Sequence, residues 1–258
     1  KILLIETPTN PFQRVSDIAA LAELTRANDA LLVVDNTMLS PCLQNPITHG
    51  ADIVYHSGTK FLSGHSDVTA GVVVVKDESV AKEIAFVQNA EGTALAPFDS
   101  WLLLRGIKTL DLRVEKQCSN ALKVAEFLST HPAVTEIYHP AFASAEARRV
   151  HESQASGGGS VIAFTTGDAE FSRRIVESTK LCSIAVSFGS VNSTISLPCY
   201  MSHASIPAGL RDELAPPRDL ICLSIGIESV EDVIEDLREA IRIASGSNVI
   251  AISKAVGE

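Results

Sequence analysis

The chain has 258 residues, 46% hydrophobic and 20% charged, enough apolar content to bury a sizeable core in one or two domains. Its net charge of -10 leaves no basic stripe for neutralising phosphates, so no nucleic-acid partner is expected. Five widely spaced cysteines, Cys42, Cys118, Cys182, Cys199 and Cys222, without a CxxC, argue against a disulfide framework or a zinc site, and the longest apolar runs are strand length, so no membrane span is expected.

In chain order, Lys1-Ile2-Leu3-Leu4-Ile5 reads as a buried strand that starts without an initiator Met or a charged-then-apolar leader. The N-terminus therefore reads as truncated, and cytoplasm and plastid both remain open as compartments. Ser16 or Asp17 can cap a helix running to about Asn28, with Ile18, Leu21, Ala22 and Leu24 as its apolar positions. Further strands are predicted at Leu31-Val34, Ile53-Tyr55 and Gly71-Val75, and a helix from about Glu78 to Asn89. Short apolar runs alternating with helical patterns predict βαβ units and a mainly parallel sheet buried on both faces.

After a Pro- and Gly-containing passage from Ala90 to Pro97, periodicity predicts a long connecting helix from Thr109 to about Thr130. Beyond it come a strand at Val134-Tyr138, a polar helix near Ala143-Gln154, a strand at Ser160-Phe164 and a helix at Ala169-Ser178. The last helix opens on Ser229-Val230-Glu231-Asp232, an approximate capping box, and buries Val233, Leu237, Ile241 and Ala244. The tail from Ser245 to Glu258 shows no amphipathic pattern and is left unassigned. The expected fold is α/β, with a large domain over 1–106 and a smaller α+β domain over 107–258.

Three residue types gather near two neighbouring strand ends. Asp35 follows the strand Leu31-Val34, at the edge where ligands collect in open α/β sheets. Lys60 follows the next strand through the small-residue loop Ser57-Gly58-Thr59, whose hydroxyls could hold a phosphate. An amine for an imine, an anion for a pyridine nitrogen and donors for a phosphate are what pyridoxal phosphate needs. The same residues also suit a turn at Asp35 and a solvated loop at Ser57–Lys60, and spacing alone leaves both readings open. A dinucleotide site is disfavoured, because no GxGxxG follows any predicted strand.

A wider set of motifs carries a resemblance. Glu6-Thr7-Pro8-Thr9-Asn10-Pro11, Val33-Val34-Asp35-Asn36-Thr37, Ser57-Gly58-Thr59-Lys60-Phe61, Gly64-His65-Ser66-Asp67, Leu104-Arg105-Gly106-Ile107-Lys108-Thr109-Leu110, Ser187-Phe188-Gly189-Ser190-Val191 and Ser224-Ile225-Gly226-Ile227-Glu228 stand in order. Together they resemble the Cys/Met-metabolism enzymes that use pyridoxal phosphate. Within that family, Gln88 through Asp99 and the Asn192 position are most similar to cystathionine β-lyases of the plant kind.

The resemblance implies an aspartate-aminotransferase-like arrangement (fold type I) and pyridoxal 5'-phosphate as cofactor. It implies that Lys60 forms the Schiff base, Asp35 pairs with the pyridinium, and Ser57 and Thr59 bind phosphate. Asn10 would touch the ring hydroxyl and substrate, and Ser187 would lie near the substrate carboxylate. The implied reaction is cleavage of cystathionine to homocysteine, pyruvate and ammonia, in a homo-oligomer built as a dimer of dimers around a small sulfur amino acid.

One departure stands out: the family's carboxylate-binding arginine falls on Cys222, which supplies neither charge nor fork. A non-catalytic paralogue acting as a binding or assembly partner is therefore a second expectation, and a related γ-lyase or γ-synthase a third. His203 is expected to be structural, Trp101 to lie in the core, and His65-Ser66-Asp67 to hold no metal.

Overall fold

The computed structural model describes residues 1–210 and 215–246. Its first sheet contains β1 (Ile2–Glu6), β2 (Leu31–Asp35), β3 (Ile53–Ser57) and β4 (Gly71–Val75), in the order β1-β2-β3-β4. The first three strands run parallel and β4 closes the edge antiparallel to β3. The mainly parallel sheet is as expected.

Helix α1 (Ile18–Ala27) makes the crossover from β1 to β2. Asp17 begins it, its carboxylate accepting the Ala20 N–H at 3.0 Å, which satisfies one of the donors left free at a helix start. Ile18 and Ala22 then pack on Leu32, Val34 and Val54. After the short helix α2 (Ser40–Leu43) and β4 come α3 (Glu78–Glu91), α4 (Pro97–Ile107) and the long α5 (Leu110–Ser129). Helix α5 serves two cores at once: Leu110 and Val114 meet Phe61 and Leu62, while Val124, Ala125 and Leu128 lie under the second sheet.

That second sheet takes β5 (Glu136–Tyr138), β6 (Val161–Thr165), β7 (Ser183–Ile184), β8 (Thr194–Ser196) and β9 (Ile221–Ser224) in the order β5-β6-β9-β8-β7. Helices α6 (Ala145–Gln154), α7 (Ala169–Ser178) and α8 (Val230–Ala244) accompany it. Ser229 caps α8 through the Asp232 N–H, and Val233, Leu237, Ile241 and Ala244 are buried, as the periodicity predicts.

Three hydrogen bonds pin the second sheet's surroundings to the first. The Ile18 N–H donates to Gln154 Oε1 at 3.1 Å, Gln154 Nε2 donates to the Ser16 carbonyl at 2.9 Å, and the Ser156 N–H donates to the Leu43 carbonyl at 2.9 Å. Gln154 thus uses both ends of its amide across the junction.

Three expectations need correction. The sheet is not buried on both faces throughout: β2 is, but Ile2 and Leu4 on β1 and Val73 and Val74 on β4 are exposed. Helix α4 occupies a stretch for which no helix is predicted, between the passage from Ala90 to Pro97 and the helix expected from Thr109. Pro97 sits at the first turn, where its missing N–H costs nothing. Trp101 is not core: it is 56% exposed, on a face of α4 that also carries Phe98, with the two ring centroids 6.0 Å apart. Residues 247–258 of the unassigned tail lie outside the described residues.

Candidate active site

Lys60 lies in a wide helical turn, Gly58–Leu62, that leaves the end of β3. The turn is tied at both ends, by the Gly58 N–H on the Ala70 carbonyl at 2.8 Å and the Gly64 N–H on the Lys60 carbonyl at 2.8 Å. Lys60 itself departs from helical backbone, at φ -88° and ψ -125°. What holds that departure is Arg113 from α5. Its buried guanidinium donates to the Phe61 carbonyl at 2.8 Å, the Leu62 carbonyl at 3.4 Å and the Gly106 carbonyl at 2.8 Å. Gly64 is needed beside it, because a Cβ there would stand 2.1 Å from Arg113 Nη1.

The Lys60 amine points to the second half of the chain. It donates to the Ser187 hydroxyl at 2.6 Å and stands 4.8 Å from the centroid of the Phe188 ring. Partial burial pushes this amine below its ordinary range, since removing water penalises the charged form. Ser187 has a φ of +108°, a conformation that costs a non-glycine residue. The following loop explains why it is tolerated. Gly189 lies with φ +86° so close to Phe61 that a Cβ would be 2.7 Å from the Phe61 nitrogen, and its N–H donates to Ser224 Oγ on β9 at 2.9 Å. A cleft of about 490 Å³ opens between Thr59, Ser66 and Val68 on one side and Val186, Ser187 and Phe188 on the other.

Asp35 ends β2, in register with Glu6 on β1 and Tyr55 on β3. Its Oδ1 accepts the Thr37 N–H at 2.9 Å, and Thr37 Oγ1 in turn accepts the Ser57 N–H at 2.9 Å. Asp35 and Ser57 are thus joined through one threonine, to which the sequence reading assigns no role. The Thr59 hydroxyl accepts the Ala70 N–H at 3.1 Å, so part of its capacity fixes the turn. Asn10 belongs to a turn at the same sheet edge, its N–H donating to Glu6 Oε2 at 3.0 Å.

The structure therefore brings Lys60 and Ser187 into contact and sets Asp35, Ser57 and Asn10 along one strand-end edge. An amine whose pKa is lowered by burial, a carboxylate at a parallel strand end and nearby hydroxyls are a donor set that fits pyridoxal phosphate. Cys222 sits on β9 between Ala163 and Ser196, two residues from Ser224 and so on the same face. Burial pushes its thiol up to about 12, so it brings no charge to the site. His203 hydrogen-bonds Ser202 at 2.9 Å, and His65 Nδ1 lies 2.6 Å from the Ser63 carbonyl. Among the described residues no group of acidic, His or Cys side chains could hold a metal ion. Phe188, Arg113 and Tyr55 have no role assigned from the sequence; Phe188 falls inside the motif that holds Ser187, and Tyr55 lies two residues before Ser57 and so on its face.

Comparison with known proteins agrees with pyridoxal phosphate as the cofactor. The profile described as Cys/Met metabolism PLP-dependent enzyme matches residues 1–242. The chain is 54% identical over 237 residues to the chloroplastic cystathionine beta-lyase of Arabidopsis thaliana, covering 92% of this chain and 51% of that protein. It is 46% identical over 241 residues to the cystathionine gamma-lyase of Bacillus subtilis, covering 93% and 64%. A crystal structure of cystathionine gamma synthase from Xanthomonas oryzae pv. oryzae, in complex with aminoacrylate and cysteine, superposes with a TM-score of 0.92. Identity there is 40%, over 95% of this chain and 64% of that one. The chain spans about half the length of the plant relative and under two thirds of the others.

Proposed function

Because the chain belongs to the Cys/Met metabolism PLP-dependent enzymes, we propose that it acts as a carbon-sulfur lyase on cystathionine, releasing homocysteine, pyruvate and ammonia. The observation that carries the proposal is the Lys60 amine, partly withdrawn from water and held 2.6 Å from Ser187, which lines the cleft. A lysine with a lowered pKa is the group that both forms an imine and accepts a proton near neutrality.

Pyridoxal phosphate, when bound, supplies the electron sink that makes a Cα proton acidic. The chain's own residues would do the rest. Lys60 would anchor the cofactor and, once displaced by the substrate amine, take the Cα proton and return one to the leaving thiolate. Asp35 would keep the ring nitrogen cationic, Ser57 and Thr59 would bind the phosphate, and Asn10 would contact the ring hydroxyl. Ser187 would orient the Lys60 amine and border the substrate carboxylate. We propose a homo-oligomeric assembly, in keeping with the resemblance.

Cys222 favours a second reading. A half-buried neutral thiol cannot hold a carboxylate as a guanidinium does, so a protein that binds the cofactor but turns over poorly is the alternative. Product analysis decides among these readings. Pyruvate from cystathionine, absent in Lys60→Ala, is the expected result; 2-oxobutyrate would reassign the reaction to γ-cleavage. No keto acid above the Lys60→Ala background would leave the binding-partner reading.

A further inference from the structure

Three side chains stand in one row across the ends of the parallel strands. Glu6 pairs with Asp35 and Asp35 pairs with Tyr55 in the strand register, and register partners in a parallel ladder project to the same face. Ser57, two residues beyond Tyr55, shares that face. The Tyr55 carbonyl accepts the Asn36 N–H at 3.0 Å, tying the tyrosine to the residue after Asp35.

The Tyr55 phenol lies beside the Asp35 carboxylate. Burial, and then this neighbouring carboxylate, push the phenol well above its ordinary range, so it is an O–H donor at every ordinary pH. Glu6 is already engaged with Asn10 on one oxygen, and burial raises its pKa, with Asp35 adding to the rise. His56 is buried, and burial lowers its pKa although the Asp35 charge opposes the shift. Alternation turns it to the opposite face. Of the groups around Asp35, Tyr55 is the one with a proton to give on the face that Ser57 shares. A half-buried strand position of this kind is filled equally well by Val or Ile if only packing is at stake.

We propose that Tyr55 is a positioning residue for Asp35: with the Thr37 N–H on Oδ1, its phenol fixes the carboxylate so that the remaining lone pairs face the pyridine nitrogen of pyridoxal phosphate. This rests on the cofactor reading of Asp35. The phenol acts through Asp35 and touches no reacting atom.

The test compares pyridoxal phosphate with its 1-deaza analogue, in which carbon replaces the ring nitrogen, by equilibrium binding. Tyr55→Phe should weaken pyridoxal phosphate about ten-fold, the loss expected for one hydrogen bond to a charged group, and leave the analogue's affinity unchanged. In an Asp35→Asn background, Tyr55→Phe should have no further effect. Equal losses for both compounds, no loss for either, or additive losses in the double variant would overturn the proposal. If Asp35→Asn alone leaves the preference for pyridoxal phosphate over the analogue intact, the cofactor reading of Asp35 fails first.

Discussion

The amine of Lys60 and the hydroxyl of Ser187 are 2.6 Å apart although 127 residues separate them in the chain. Ser187 supports this contact from a strained backbone, φ +108°, so the position serves two masters. Ser187→Ala should lose the hydrogen bond and keep the strain, whereas Ser187→Gly should lose the bond and relieve the strain. Both variants should slow borohydride-trapped labelling of Lys60 by pyridoxal phosphate about ten-fold. The glycine variant should melt at least as high as the parent, the alanine variant no higher. Labelling at the parental rate in both would mean that the hydroxyl does not position the amine.

Arg113 carries a different load. Its guanidinium is buried and donates to three backbone carbonyls and to Thr109 Oγ1 at 3.0 Å. Arg113→Met should cost roughly 3 kcal/mol in urea unfolding, because buried carbonyls lose their donors. Arg113→Lys keeps the charge but lacks the fork and should fall between. If Arg113→Met unfolds at the parental midpoint, the turn around Lys60 holds itself.

How far the fold could be read from the sequence depended on how local its determinants are. Helices α1 and α8 were readable because Asp17 and Ser229 cap them and their apolar stripes follow at helical spacing. Strands β7 and β8 have two and three residues, too few to carry a periodicity to detect. Helix α4 carries Gly106, which answers a distant constraint: a Cβ there would stand 2.3 Å from the Ser63 carbonyl oxygen. In the site, Lys60 and Asp35 could be read because strand ends announce themselves. The partners of Lys60, Ser187 and Phe188, arrive through tertiary packing, and without the family resemblance nothing near Lys60 points to them.

Histidine burial at the junction gives a pH prediction. His139 is buried, and desolvation lowers its imidazole to about 4; its Nδ1 accepts the Ala141 N–H at 3.3 Å, which also requires the neutral form. A Cβ at Gly158 would stand 2.5 Å from its ring, so the ring fills the space under the loop that Ser156 ties to Leu43. The folded pKa lies below the unfolded value, so the unfolded state binds the proton first. Stability from this group is complete above about pH 6.5 and is lost as pH falls towards 4, by an amount on the order of 3 kcal/mol. His151, also lowered by burial, adds in the same direction. His139→Asn should flatten the fall in urea midpoint across that window; an unchanged slope would assign the acid sensitivity elsewhere.

On the proposed function, Cys222 stands at the position where a substrate carboxylate would want a cationic partner. It shares a face of β9 with Ser224, whose hydroxyl accepts the Gly189 N–H beside the Lys60 turn. Its cross-strand partners are Ala163 and Ser196, both small, so a long side chain can lie across them without displacing a neighbour. Cys222→Arg should therefore be accommodated, and its guanidinium should offer a substrate carboxylate the two parallel hydrogen bonds that a thiol cannot. The expected outcome is a KM for cystathionine lowered about ten-fold or more with the spectrum of bound cofactor unchanged, since Lys60 and Asp35 are untouched. Cys222→Ser, neutral and similar in size, should behave as the parent. A Cys222→Arg protein whose KM stays at the parental value would show that carboxylate binding is not what this position limits.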